Sequence, residues 1–233
     1  TCRGAGTAGV ARTGAVGFRV RQRLPDAATD EADGGTAVSI REYGALFREW
    51  RFSVFALVTT LFSCAYNATR AVLPLYVTRE AGLDSTTASL LFSALFAVSM
   101  VQLLTGEISD RTGTLPLVAL TVGLATAGLG SILLLAGVAG PFVLGGAVVC
   151  LGVGAHGYRP VRGAYLMSVI PTSVAGGSLG AVRTIQMVAG AASPALVGVL
   201  SETAGLRPAF GVLTAALVVA TGLSLLLWLF DSP

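Results

Sequence analysis

The chain has 233 residues, 54% of them hydrophobic and 12% charged, with a formal net charge of +3 and a mean hydropathy of +0.78. A soluble domain carries about 25% charged residues, so this balance excludes an ordinary soluble enzyme, and basic residues scattered singly exclude a nucleic-acid surface. All 15 basic residues are arginine, which points to a GC-rich prokaryotic genome, and Cys64 and Cys150 sit inside apolar runs as small buried residues rather than in a disulfide framework.

Residues 1–23 are mildly apolar and rich in Gly and Ala, closing on Phe18-Arg19-Val20-Arg21-Gln22-Arg23. A secretory signal places its basic residues ahead of the apolar core. Here they follow it, so the stretch is read as the remnant of a preceding helix that exits at Arg19, Arg21 and Arg23; a disordered basic tail is the alternative. Residues 24–51 are read as a cytoplasmic linker, acidic from Pro25 to Gly35 with little to bury. Within it, Ser39 to Trp50 sets Ile40, Tyr43, Phe47 and Trp50 at the spacing of an amphipathic surface helix.

Residues 52–230 carry six apolar spans, at 52–77, 85–105, 115–137, 142–166, 176–200 and 207–230. Each is near the ~20 residues that a helix needs to cross a bilayer. Gly82, Gly140-Pro141, Pro171 and Gly205-Leu206-Arg207-Pro208 punctuate the joints, and residues 231–233 form a tail. The expected class is an all-α membrane protein, a six-transmembrane-helix bundle. Arg41, Arg48 and Arg51 precede the first span and Arg111 follows the second, whereas Arg79 and Arg207 are offset by Glu80, Asp84 and Glu202. The positive-inside rule then places the linker and the carboxyl terminus in the cytoplasm of a prokaryotic cell, in its plasma membrane. Glycines inside the spans, among them Gly123, Gly128, Gly152, Gly154 and Gly190, suit helices that associate in lipid by close backbone approach.

The second and third spans are joined by Gly106-Glu107-Ile108-Ser109-Asp110-Arg111-Thr112-Gly113, read as a tight polar turn. Its Gly106-x-x-x-Asp110-Arg111-x-Gly113 spacing resembles the cytoplasmic loop signature of the major facilitator superfamily, which lies between the second and third helices of each six-helix half. Leu73-Pro74-Leu75-Tyr76, Pro171 to Gly180, and the Gly190 to Gly198 segment with Pro194 are similar to family segments in the same order. Thr114 departs from the basic residue that usually follows the last glycine. The resemblance covers about residues 40–230 and implies the carboxyl-terminal half of a twelve-helix transporter. It also implies a missing amino-terminal six-helix half, and alternating access around a cavity between the two. Gly106, Asp110, Arg111 and Gly113 then form a gating loop. Asp110 would sit at the start of the third span, Arg111 would bridge to a neighbouring helix end, and the two glycines would permit the turn. A plain turn with a helix cap and an orienting arginine is the alternative.

Six polar residues within the spans are candidates for substrate binding. On the first span Ser63, Asn67, Arg70 and Pro74 make one stripe at three-to-four spacing. On the fourth, His156 and Arg159 stand near the bilayer midplane, three residues apart, with Pro160 to loosen the helix there. The alternative ends that helix at Tyr158 and leaves Arg159 and Arg162 in a cytoplasmic loop. On the fifth span, Arg183 and Gln186 lie in the inner half. No acidic residue lies deep in any span. The arginines therefore call for an anionic solute, or for carboxylates from the missing half. A coupling proton or ion is a further expected partner.

An enzyme is not expected. His156 is the single histidine, and Ser131 in Gly128-Leu129-Gly130-Ser131-Ile132 lacks the glycine of an intramembrane serine protease turn. The sequence has no His-Glu-x-x-His pair, phosphate loop or Cys cluster to hold a metal or cofactor. A membrane subunit working with a soluble ATPase is the other class the composition allows.

Overall fold

The computed structural model describes residues 48–170 and 175–231. The expected helix remnant at 1–23, nearly all of the linker and its amphipathic helix, the joint at 171–174 and the last two residues lie outside the described residues. Inside lipid, a backbone must satisfy its own hydrogen bonds, and a helix does so within one segment. The chain accordingly forms α1 (Trp50–Arg79), α2 (Ser85–Ala97), a 3-10 turn (Val98–Met100) and α3 (Val101–Thr112). It continues with α4 (Thr114–Leu135), α5 (Pro141–Val169), α6 (Ala175–Ala204) and α7 (Leu206–Asp231). No strand occurs among the described residues. Because α2, the turn and α3 run on as one span, six stretches are long and apolar enough to cross a membrane.

Four of the joints turn at a glycine with positive φ: Gly82, Gly113, Gly137 and Gly205. That backbone region penalises any Cβ, so glycine there ends one helix and frees the next. Between α1 and α2, Asp84 caps α2. Its carboxylate accepts from the backbone N–H groups of Thr86 and Thr87 at 2.9 and 3.0 Å and from the Thr87 hydroxyl at 2.6 Å. The Thr87 hydroxyl, followed by the backbone donors, holds the carboxyl below the usual carboxylate range.

Small residues set how closely the helices pack. A Cβ on Gly128 of α4 would come under 3.0 Å from the backbone of Leu151 and Ala147 in α5. A Cβ on Gly154 of α5 would meet the backbone of Ala125 and Thr121 in α4 as closely. The two glycines are a reciprocal pair: each lets the opposite helix lie directly on its backbone, where dispersion replaces the hydrophobic effect as the force joining helices in lipid. Gly152 does the same for the second span, since a Cβ there would meet Val98 and the Leu95 carbonyl under 3.0 Å. The 3-10 break in that span therefore nests on α5. Around this core α1 packs on α6, α7 and α2, and α7 packs on α4. Tyr76 stacks on Phe210 with ring centres 3.8 Å apart, and the Thr126 and Thr221 hydroxyls bond at 2.7 Å between α4 and α7.

One sequence expectation changes and one alternative falls. The motif from Gly106 to Thr112 is not a tight turn but the last turns of α3, and the reversal is confined to Gly113, whose φ is 89°. Nothing in that stretch stops a helix: Glu107 and Arg111, four apart, pair along it at 2.6 Å, as such residues do on one helix face. Arg111 thus bridges within its own helix rather than to a neighbour. Asp110 is exposed, and no side chain caps the start of α4. Gly106 faces open space. The alternative that the fourth span ends at Tyr158 is also excluded, because α5 continues through Pro160 to Val169.

Candidate functional site

Three helices that line one cavity carry a proline inside them: Pro74 in α1, Pro160 in α5 and Pro194 in α6. A proline has no N–H for the carbonyl four residues earlier, so these three release the carbonyls of Arg70, His156 and Gly190. Two of those residues, Arg70 and His156, are sequence candidates, and Gly190 packs against another, Asn67. The Ser193 hydroxyl donates to the Gly190 carbonyl at 2.9 Å and replaces the lost bond.

The cavity has a volume of about 1010 Å³ and opens between α1, α5 and α6, with Phe92 of α2 at its edge. Asn67, Arg70, Arg159, Arg183 and Gln186 all line it, together with Ser63, Arg162 and the aromatic rings of Phe62, Tyr66 and Tyr158. His156 does not. Its ring is buried behind Tyr66, with Nε2 3.5 Å from the Tyr66 hydroxyl and the ring centre 6.0 Å from that of Phe96. Three residues of separation bring Arg159 to the cavity wall but leave His156 one layer deeper, among aromatics.

A polar network crosses the three helices. Arg70 donates to the Asn67 side-chain oxygen at 3.2 Å, and the Asn67 amide donates to the Ser63 carbonyl at 2.8 Å. The Ser63 hydroxyl donates to the Gln186 carbonyl on α6 at 3.0 Å. The buried Gln186 side chain in turn accepts from Arg162 of α5 at 3.0 Å. Gly190 permits the α1–α6 approach, because a Cβ there would lie under 3.0 Å from both Asn67 and Ser63. The Arg162 guanidinium also lies 5.9 Å from the Tyr158 ring centre, within cation–π range. Arg159 and Arg183 make no hydrogen bond to a described residue.

Four guanidinium groups thus share one cavity whose described lining contains no carboxylate. Charges inside a membrane-spanning bundle cost several kcal/mol unless water, a partner or a ligand stabilises them. Sequence reasoning missed Tyr66, Phe62 and Tyr158 because aromatic residues in an apolar run look the same whether they face lipid or a cavity. Arg162 was visible only as a residue of the alternative loop, and its link to Gln186 joins helices that no local spacing connects.

Six helices long and apolar enough to cross a membrane, with a polar cavity between three of them, define a multi-pass membrane protein. Its family is established by sequence: the profile described as Major Facilitator Superfamily matches residues 5–194 and 55–233. The chain belongs to that superfamily, whose members are multi-pass membrane transporters rather than enzymes. Its fold is similar to that in the in meso crystal structure of the POT family transporter PepTSo, with a TM-score of 0.67 at 16% identity over 76% of this chain and 37% of that one. Tetrameric PepTSo2 in its I4 crystal form gives a TM-score of 0.63 at 18% identity over 81% of this chain and 41% of that one. At such identities the likeness is one of fold. The chain spans about two fifths of the length of these structures. No curated protein matches it.

Proposed function

We propose that the chain is the carboxyl-terminal half of a secondary active transporter that moves a small organic anion by alternating access across a prokaryotic plasma membrane. The four guanidiniums of Arg70, Arg159, Arg162 and Arg183, with no carboxylate among the described residues of the cavity wall, are the observation that carries the reading. Asn67 and Gln186 orient two of them. The amino-terminal six-helix half closes the other side of the cavity, because an arginine-lined face left against lipid is strongly unfavourable. In this reading Asp110 and the end of α3 face the cytoplasm and act in gating. A coupling proton or ion drives the cycle.

Arg159 tests the assignment, since it lines the cavity without a hydrogen bond that fixes it elsewhere. Arg159→Ala in the intact transporter abolishes anion binding, whereas Arg159→Lys keeps the charge, loses the fork geometry and binds more weakly. Normal transport by both variants, with a cysteine at 159 that labels freely from the cytoplasm, would refute the cavity role.

A further inference from the structure

His156 is the only histidine of the chain, and the anion reading gives it no task. It is 2% exposed, behind the cavity wall on α5. Buried polar side chains normally have their hydrogen bonds made, and here they are half made. Nε2 stands 3.5 Å from the Tyr66 hydroxyl, while Nδ1 is buried with no hydrogen-bond partner among the described residues.

Both sides of the ring face a group that can accept a proton's hydrogen bond. Tyr66 lines the cavity, so its hydroxyl links Nε2 to that space. On the other side lies the second span. A helical side chain leans over the turn that precedes it, which for His156 is the turn of Gly152. A Cβ at Gly152 would meet the Leu95 carbonyl oxygen at 2.8 Å, so that carbonyl points at α5 one turn before the histidine, and the Leu95 backbone faces the imidazole as an acceptor. A carbonyl oxygen keeps a second lone pair when its own helix uses the first, and a small turn of the ring would close the bond.

The charges that act on the ring are Arg159 of its own helix and Arg70 of α1, and the same two act on Tyr66. The second span contributes Phe96, with ring centres 6.0 Å apart, beside Leu95. Thr105 of α3 and Thr121 of α4 pack on the adjoining Gly157, and neither titrates. His156 is thus a titratable group next to a cluster of fixed cations, one hydroxyl away from the cavity.

We propose that His156 is the site of the coupling proton, loaded from the cavity through the Tyr66 hydroxyl, and that it takes up this proton when an anion binds among the cavity arginines. The inference rests on the anion reading above and names the ion that the cycle uses. Loading leaves the tyrosine unchanged: its hydroxyl hydrogen passes to Nε2 while the phenol oxygen takes a proton from cavity water. The imidazolium then donates from both nitrogens, Nε2 to the Tyr66 oxygen and Nδ1 to the Leu95 carbonyl. Arg70 and Arg159 oppose its charge while the cavity is empty, and an anion held among them balances it. Proton and anion therefore bind with mutual help, by the reciprocity of linked sites, and cross the membrane together.

The test is calorimetric titration of the intact transporter in nanodiscs with butanesulfonate, an anion that does not itself titrate, in buffers of different ionisation enthalpy. The series spans about pH 5 to 8, where an imidazole changes charge. Expected is uptake approaching one proton per anion, with an affinity that falls as pH rises by up to about tenfold per unit. His156→Gln and His156→Asn should bind butanesulfonate with no proton uptake and an affinity independent of pH. Binding without proton uptake in the wild type, or uptake that persists in a folded variant, overturns the proton assignment and leaves the anion reading standing. No binding of butanesulfonate or butyrate at any pH overturns both. If neither variant folds, histidine nitrogen NMR spectra of the wild type decide: a histidine that gains a proton on addition of butanesulfonate is expected, and the lack of one overturns the assignment.

Discussion

Gln186→Glu changes one group in the cavity while keeping its shape, and the structure indicates how far the effect reaches. The Gln186 side-chain oxygen accepts from Arg162 at 3.0 Å, and its backbone carbonyl holds Ser63 at 3.0 Å. A glutamate retains both bonds but turns the first into an ion pair. At about 4 Å and an effective dielectric near 20, the pair attraction is about 4 kcal/mol before desolvation is subtracted. The variant should therefore insert and fold as well as the parent. The cost falls on the ligand. Arg162 now has its own carboxylate, and an anion in the cavity loses a charge-assisted bond of about 1.5–3 kcal/mol, which weakens binding by about 10- to 150-fold. Gln186→Leu separates the two contributions: it unties Arg162 without adding charge, so its loss of affinity should be smaller. Equilibrium binding of a carboxylate to each purified variant, with thermal melting to confirm the fold, reads the difference. Unchanged anion affinity in a folded Gln186→Glu protein would refute the idea that this cavity works by unbalanced positive charge.

Two further outcomes are expected. Asp110→Asn, at the exposed end of α3, should reduce transport while leaving membrane insertion and anion affinity intact; uptake at the wild-type rate and equal expression would remove that residue from gating. For topology, a cysteine placed at 112 should react only with a reagent on the cytoplasmic side and one at 203 only with a reagent outside, and the reverse pattern would invert the bundle.

The spans were legible in the sequence because lipid imposes one demand on every residue of a crossing segment, and apolar length alone reports it. What length does not report is interruption. The stretch from Leu90 to Leu104 is apolar almost throughout, yet the helix breaks into a 3-10 turn at Val98–Met100. The break is matched on another helix, where Gly152 leaves room for Val98 and the Leu95 carbonyl. The motif around Asp110 failed in the opposite sense. Its polar letters looked like a loop, but charged residues four apart continue a helix once it emerges from the apolar layer, so the chain reverses only at Gly113.

The candidate cavity was legible to the depth of one helix at a time. A stripe such as Ser63, Asn67, Arg70 and Pro74 is a property of a single segment, and all four positions line the cavity. His156 and Arg159 share a segment too, but which of them meets water depends on how far α5 is rotated against α1 and the second span. Tyr66 and Phe96 occupy the space in front of His156. The pairing of Arg162 with Gln186 lies further still from local pattern, since it requires α5 and α6 to meet at one level, and the Ser63 bond to the Gln186 backbone fixes that level from α1. Polarity inside a span is therefore enough to nominate a residue for the cavity. Its charge partner is decided by helix rotation and register, which the small residues of neighbouring helices control.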